Sequence, residues 1–186
     1  IFVHERADPM KVSNIVLNSK TRRPGICGAV ECVLIDTKFL KNNGTSLISD
    51  LVNSGLDVRV DSKLIHVNGT VLAKGSDWGK EYLNMSLAVK TVSDMGGAIE
   101  HIEKYGSNHT DCIITEDDQA ATEFFTKLDS AILMRNTSTQ FADGGEFGFG
   151  AEIGISTGKI HARGPVGLEQ LTSFKYLVQS NGQLRD

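Results

Sequence analysis

The sequence predicts an α/β fold with a mostly parallel sheet flanked by helices. Short apolar runs alternate with segments of helical periodicity, which is the rhythm of βαβ units. Two of the runs, CVLI from Cys32 and CIIT from Cys112, are apolar at consecutive positions, as in strands buried on both faces. With 40% hydrophobic and 23% charged residues, the composition is that of an ordinary globular protein.

In the first part of the chain, IFVH predicts a strand, and Asp8 with Pro9 predicts the capped start of a helix that runs to about Lys20. The residues that follow predict a strand, a helix interrupted near Gly44 and ended at Gly55, and a short strand. In order, these three segments are Ala29–Asp36, Phe39–Gly55 and Leu56–Val60.

The second part continues the alternation. The predicted elements are a strand at Leu83–Val92, a helix at Met95–Gly106, a strand at Asp111–Thr115, a helix at Glu116–Asp129 and a strand at Ala131–Asn136. From Thr137 the chain becomes rich in glycine and loses periodicity, which is typical of long functional loops. The end of the chain, Leu171–Arg185, has the pattern of a strand or hairpin.

The segment NSKTRRPGIC ends in a thiol, Cys27, that follows two arginines and a Pro-Gly turn. The thiolate is the reactive form of cysteine, and nearby positive charge lowers a thiol pKa. We therefore expect Cys27 to be a nucleophile at the end of a strand or helix, facing an open cleft. The alternative is a small apolar residue in a turn, with Arg22 and Arg23 on a solvated face.

Charge and spacing exclude several functions. The net charge of −4 gives no general attraction to nucleic acid or to an anionic membrane, and no apolar run approaches the length of a membrane span. The three cysteines do not form a disulfide framework, which favours a reducing compartment. Neither C-x-x-C nor H-E-x-x-H spacing occurs, so no metal site is predicted.

Three further residues are candidates, each with a plainer alternative. Arg163 lies in a glycine-rich loop, where its guanidinium could bind a carboxylate or phosphate of the substrate through two hydrogen bonds. The alternative is a structural ion pair within the protein. His109 after a helix end is a candidate general acid, or an ordinary turn residue. Glu81 follows the single tryptophan, and its spacing alone predicts only a solvated carboxylate with no functional role. The spacing Gly145-x-x-Gly148-x-Gly150 is not a dinucleotide fingerprint.

Taken together, these segments resemble the γ-glutamyl phosphate reductase family, also called glutamate-5-semialdehyde dehydrogenase, a branch of the aldehyde dehydrogenase superfamily. NSKTRRPGIC resembles its catalytic-cysteine segment, and Val92–Ile113 fits its signature pattern. Ser138–Tyr176 resembles its C-terminal block. The family mostly has arginine where this chain has Gln140, so a phosphate contact there would be made differently.

The resemblance implies an oxidoreductase of proline biosynthesis. Cys27 would attack glutamyl 5-phosphate, expel phosphate and form a thioester, which hydride from NADPH would reduce to glutamate 5-semialdehyde. It also implies that Glu81 contacts the cofactor, and that Arg163 and His109 hold the substrate. In that reading residues 1–171 are a catalytic domain of aldehyde dehydrogenase type, and residues 172–186 are a strand that serves oligomerisation.

The resemblance carries expectations about the rest of the protein as well. The chain opens inside a predicted strand without an initiator Met, so we expect it to be cut from a longer protein. The N-terminal nucleotide-binding domain, which would bind most of the NADP(H), is then absent, and these residues alone are expected to be inactive. The full enzyme would be cytoplasmic and homo-oligomeric, with glutamate 5-kinase as a functional partner.

Two other functions stay open at this point. One is a catalytically silent module that keeps the fold for binding or assembly. The other is a different acylating aldehyde dehydrogenase, which the glutamyl-specific signature disfavours.

Overall fold

The computed structural model describes all 186 residues, Ile1–Asp186. Its centre is a sheet of seven parallel strands in the order β4-β3-β5-β2-β1-β6-β7. The strands are β1 (Phe2–Val3), β2 (Cys32–Asp36), β3 (Asp57–Val60), β4 (Val71–Leu72), β5 (Ser86–Val92), β6 (Thr110–Ile114) and β7 (Ile132–Arg135). The parallel sheet with flanking helices confirms the predicted fold class.

Five helices connect the strands: α1 (Pro9–Thr21), α2 (Thr37–Asn43), α3 (Ser46–Asn53), α4 (Met95–Tyr105) and α5 (Asp118–Lys127). Their starts follow from the sequence, because Asp8 accepts from the Met10 amide at 2.9 Å and Asp94 accepts from the Gly97 amide at 3.0 Å. The predicted break at Gly44 is confirmed; this residue has a φ of +67°, which glycine adopts without strain. None of the five is long and apolar enough to cross a membrane.

The sheet is buried on both faces. Val33 and Ile35 of β2 join a large cluster that includes α1 and α3, whereas Leu34 between them joins a second cluster with α4 and α5. Since neighbouring side chains of a strand point to opposite faces, a strand between two helical layers must be apolar at every position. The consecutive apolar runs of the sequence have this cause.

The structure differs from the sequence-based boundaries at two strands and adds elements that were not predicted. β2 begins at Cys32 rather than Ala29, and β5 begins at Ser86 rather than Leu83. Leu83 has a φ of +55°, which is incompatible with a strand. The glycine-rich segment, expected to lack regular structure, contains an antiparallel pair, β8 (Gly154–Ser156) and β9 (Gly164–Val166).

The end of the chain forms no strand. Beyond a short 3₁₀ turn at Glu169–Leu171, residues 172–186 have no regular structure and are exposed. A strand needs a partner for its backbone groups, and nothing else in this chain pairs with the segment. The strand or hairpin predicted for Leu171–Arg185 is therefore not formed within the chain.

The order of the strands determines where the loops meet. β5, β2, β1 and β6 are neighbours at the centre of the sheet and run parallel, so the segments that precede them converge at one edge. Cys27 lies shortly before β2, Glu81 shortly before β5, and His109 immediately before β6. The three candidates from distant parts of the sequence thus come to the amino ends of adjacent strands, whereas ligands of open α/β sheets commonly bind at the carboxyl ends.

Candidate active site

A cleft of about 140 Å³ opens at this amino edge of the sheet, and Cys27, Glu81 and His109 all line it. Its remaining wall includes residues 28–32, 106–107 and 110–111, together with Thr139. Concave sites with a few convergent polar groups are the usual places for ligands. The prediction that Cys27 faces an open cleft is confirmed, since its residue is exposed and lies at this opening.

The turn that carries Cys27 is fixed at its base. The Val30 amide donates to the Ser19 carbonyl at 3.1 Å, and Thr139 Oγ1 donates to the Gly28 carbonyl at 2.6 Å. Gly28 allows this close packing, because a Cβ there would lie 3.0 Å from the Thr139 carbonyl oxygen. The thiol therefore sits on a tight connection between α1 and β2 rather than on a loose loop.

The Gln140 side chain also stabilises the turn that carries Cys27. It is buried, and its Nε2 donates to the Ser19 carbonyl at 2.9 Å and to the Arg23 carbonyl at 3.4 Å. Its Oε1 accepts from Arg22 Nη1 at 3.3 Å. In this chain the residue at that position therefore anchors the Cys27 turn, and it does not line the cleft.

The thiol pKa does not follow the sequence-based expectation. Burial by the cleft walls raises the pKa of the Cys27 thiol, and the Glu152 and Glu81 carboxylates raise it further, while backbone amides at Gly28 and Cys27 oppose them. Neither arginine of the preceding pair is among the main causes of the shift. The prediction that the basic pair lowers this pKa was therefore wrong, because Arg22 is directed to Gln140.

His109 presents an unsatisfied nitrogen near the cleft. Its Nδ1 lies 2.6 Å from Thr110 Oγ1, while its Nε2 is buried without a hydrogen-bond partner. Burial lowers the pKa of this imidazole, so it is neutral at pH 7. Buried polar atoms are nearly always hydrogen-bonded, so an unpartnered nitrogen in a residue that lines the cleft is unusual.

Glu81 is exposed at the rim, and its carboxylate makes no side-chain hydrogen bond or ion pair within the chain. Its charge is felt at both Cys27 and His109, whose pKa values it raises. The carboxylate is thus close to the candidate nucleophile and available to a ligand.

Arg163 is not brought to the cleft. Its guanidinium pairs with the Asp129 carboxylate at 2.8 Å, also donates to the Asp129 carbonyl, and donates to the Thr157 carbonyl at 3.3 Å. The structural ion pair that was the alternative for this residue is what the structure contains. Arg163 therefore stands apart from the other three predicted site residues.

Sequence reasoning missed a second group in the cleft wall. His101 is buried there, with Nε2 3.8 Å from Cys32 Sγ and Nδ1 3.1 Å from Lys90 Nζ. Burial, followed by the charge of Lys90, lowers the pKa of His101 to about 4. His101 lies within the signature segment Val92–Ile113, but nothing in the sequence indicates that it meets Cys32 and Lys90, so only the fold shows these contacts.

Comparison with known proteins supplies the family. No protein-family model matches the chain. A γ-glutamyl phosphate reductase from Beijerinckia indica is 54% identical over all 186 residues, and one from Bartonella quintana is 55% identical over the same length. The chain spans 43% and 45%, respectively, of these two curated relatives.

Solved structures agree with the sequence matches. The crystal structure of γ-glutamyl phosphate reductase from Thermotoga maritima superimposes with a TM-score of 0.91 at 43% identity, over 100% of this chain and 45% of that one. An acetylating aldehyde dehydrogenase from Geobacillus thermoglucosidasius matches with a TM-score of 0.66 at 18% identity, over 97% of this chain and 51% of that one, which shows the shared fold. By sequence and by structure, these 186 residues belong to the γ-glutamyl phosphate reductase family.

Proposed function

We propose that the chain supplies the nucleophile of an NADP-dependent reductase that converts L-glutamyl 5-phosphate to L-glutamate 5-semialdehyde, a cytoplasmic step of proline biosynthesis. One observation carries the proposal: the exposed Cys27 opens onto a cleft whose walls also hold Glu81 and the unsatisfied Nε2 of His109. A thiol, a free carboxylate and a free imidazole are the groups that thioester chemistry uses.

In the first step, Cys27 Sγ attacks the acyl carbon of glutamyl phosphate. A sulfur–carbon bond forms, the carbon–oxygen bond to phosphate breaks, and phosphate leaves with the electron pair. The raised pKa keeps most of Cys27 protonated at neutral pH, so the thiol proton is lost before or during the attack. In this proposal His109, a neutral imidazole, holds the substrate through Nε2, which has no hydrogen-bond partner within the chain.

Bound NADPH would supply the hydride that reduces the carbonyl carbon of the thioester. The residues of the cleft fit this cofactor at one point, because the Glu81 carboxylate is free and would accept hydrogen bonds from ribose hydroxyls. Most of the cofactor contacts belong, in this proposal, to residues outside the 186. After reduction the carbon–sulfur bond breaks, Cys27 recovers its electron pair and a proton, and the aldehyde is released.

The test uses a protein of the relatives' full length that carries these residues. Phosphate-dependent reduction of NADP⁺ with glutamate semialdehyde is measured for the unmodified protein, for Cys27→Ser and for the control Cys32→Ser. Activity that is lost in the first variant and kept in the second supports the proposal. Activity that survives Cys27→Ser would assign the chemistry to another group.

A catalytically silent module is the second candidate, and the raised pKa of Cys27 is the observation that favours it. An unactivated thiol is what a structural cysteine would show. Exposure alone makes Cys27 the first of the three thiols to react under either candidate, so turnover in the Cys27→Ser comparison, and not the order of alkylation, separates the two.

The partners of the whole protein are also proposals. Residues 172–186 extend as an exposed tail with several large apolar side chains, Phe174, Tyr176, Leu177 and Val178, that touch no core of this chain. We assign this tail to contact with another subunit of a homo-oligomer, where its backbone would find a strand partner. Glutamate 5-kinase is the functional partner that the substrate implies, since an acyl phosphate must be supplied by phosphorylation of a carboxylate.

A further inference from the structure

A buried ion pair lies behind the Cys27 turn. Lys20, in the last turn of α1, has a side chain with no exposed surface, and its Nζ donates to Glu31 Oε2 at 2.5 Å. Glu31 precedes β2 and lines the cleft with 16% of its side chain exposed. The two residues therefore bracket the turn that carries the thiol.

A buried ion pair of this kind contributes little to the free energy of unfolding. Burial lowers the pKa of Lys20 although Glu31 opposes the shift, which shows how strongly the site disfavours the charge. Replacing buried ion pairs by apolar side chains of similar volume is often neutral or stabilising. A buried pair next to a cleft is thus a candidate for a role in geometry rather than in holding the fold.

The second oxygen of Glu31 reaches a different segment. Its Oε1 accepts from the Leu83 backbone amide at 3.2 Å, only two residues after Glu81. Leu83 has a φ of +55°, an unfavourable conformation for leucine that its surroundings must maintain. The Leu83 carbonyl also lies against the Pro-Gly turn, 3.7 Å from where a Cβ on Gly25 would stand.

One carboxylate therefore contacts both walls of the cleft. Through Lys20 it is tied to the helix that leads into the Cys27 turn, and through Leu83 it is tied to the segment that carries Glu81. We propose that Glu31, through its contact with the Leu83 amide, is a positioning residue that fixes Glu81 relative to the Cys27 thiol. This inference rests on the proposed function, in which Glu81 contacts the nicotinamide cofactor.

The test compares two double variants in a protein of full family length. Lys20→Met/Glu31→Gln removes both charges but keeps an oxygen that accepts from the Leu83 amide. Lys20→Met/Glu31→Leu removes the charges and the acceptor. Since neither variant leaves a buried charge without its partner, we expect similar melting temperatures, and any difference reports on the contact to Leu83.

Two measurements are made on both variants. Hydrogen exchange of the peptide spanning residues 79–85 reports whether the segment is held. Steady-state kinetics report the KM for NADPH, the KM for the glutamyl substrate and kcat. For the leucine variant relative to the glutamine variant, we expect faster exchange and a kcat/KM for NADPH lower by about 10- to 100-fold. The alkylation rate of Cys27 should be alike in both, because its turn keeps the contacts of Ser19 and Gln140.

Equal exchange rates in the two variants would overturn the inference, whatever their activities. Faster exchange with unchanged kinetics toward NADPH would also overturn it, since Glu31 would then hold the segment without serving the reaction. If the unmodified protein turns over no substrate, the proposed function fails, and the exchange comparison alone decides whether Glu31 positions the segment. Should the leucine variant not fold, Lys20→Met/Glu31→Met takes its place with a more adaptable side chain.

Discussion

Timed alkylation of the native chain with iodoacetamide should modify Cys27 well before the other two thiols. Cys27 is exposed at the cleft opening, whereas Cys112 has no exposed surface. Burial raises the pKa of Cys32 to about 11, so at pH 8 only about one molecule in a thousand carries its thiolate. Access therefore favours Cys27 over Cys112, and ionisation favours Cys27 over Cys32.

The pH dependence tests the electrostatics of the cleft. Because burial and the Glu152 and Glu81 carboxylates raise the pKa of Cys27, its alkylation rate should rise about tenfold per pH unit through pH 8. Glu152→Gln removes a negative charge, lowers the thiol pKa and so should speed alkylation at pH 8. Glu123→Gln is the matched control, since that carboxylate pairs with Lys127 on α5 and does not affect the thiol.

The assay is mass spectrometry of proteolytic peptides after quenching at set times. Earlier labelling of Cys32 or Cys112 would refute the assignment of the accessible thiol. An alkylation rate for Cys27 that levels off below pH 8 would refute a raised thiol pKa. It would instead indicate that Arg22 and Arg23 lower this pKa. If Glu152→Gln and Glu123→Gln react at the same rate, the carboxylate does not act on the thiol.

Three further outcomes are expected. In a protein of full family length, Cys27→Ser should lower kcat for reduction of glutamyl phosphate by about 10⁴- to 10⁶-fold, whereas Cys32→Ser should keep turnover. Steady-state rates of the two variants are compared. An active Cys27→Ser variant with an inactive Cys32→Ser variant would show that Cys27 is not the nucleophile. Gln140→Ala should lower the free energy of unfolding by about 1–3 kcal/mol, because two hydrogen bonds to the Ser19 and Arg23 carbonyls are lost and each contributes about 0.5–1.5 kcal/mol; denaturant titration against the exposed control Gln119→Ala checks this, and equal midpoints would contradict it. The 186-residue chain alone should show no dehydrogenase turnover, and a robust rate would contradict the expectation that the cofactor is bound mainly elsewhere.

The elements could be predicted because local signals and packing agree. Asp8 before Pro9 marks the start of α1 in the sequence, and the structure shows the cap. The apolar run of β2 is buried on both faces, as its pattern indicates. Errors fall where a contact overrides the pattern, as at Leu83, whose positive φ keeps an apolar residue out of β5.

The site was predictable only in part. Cys27 and His109 are candidates from local sequence, and the resemblance to a family added the role of Glu81; all three line one cleft. Arg163 was a reasonable candidate by residue type, but its neighbour Asp129 comes from a segment far away in the sequence. The same limit applies to Lys20 with Glu31 and to His101 with Lys90, since each pair joins a helix to a neighbouring segment and no pattern in the sequence predicts the contact.

The negative charge around Cys27 bears on whether the 186 residues by themselves can bind an anionic substrate and turn it over. The thiolate is opposed by Glu152 and Glu81, and a substrate that carries phosphate and carboxylate groups would meet the same negative potential. The residues that line the cleft include one cationic side chain, Lys80, against the carboxylates of Glu31, Glu81 and Asp111. Arg22 and Arg163 are engaged elsewhere, with Gln140 and Asp129. In our proposal these residues therefore supply the nucleophile and its immediate neighbours, while attraction for an anionic substrate comes from elsewhere in the enzyme. This is the electrostatic reason, in addition to the cofactor, for expecting no turnover from the 186 residues by themselves.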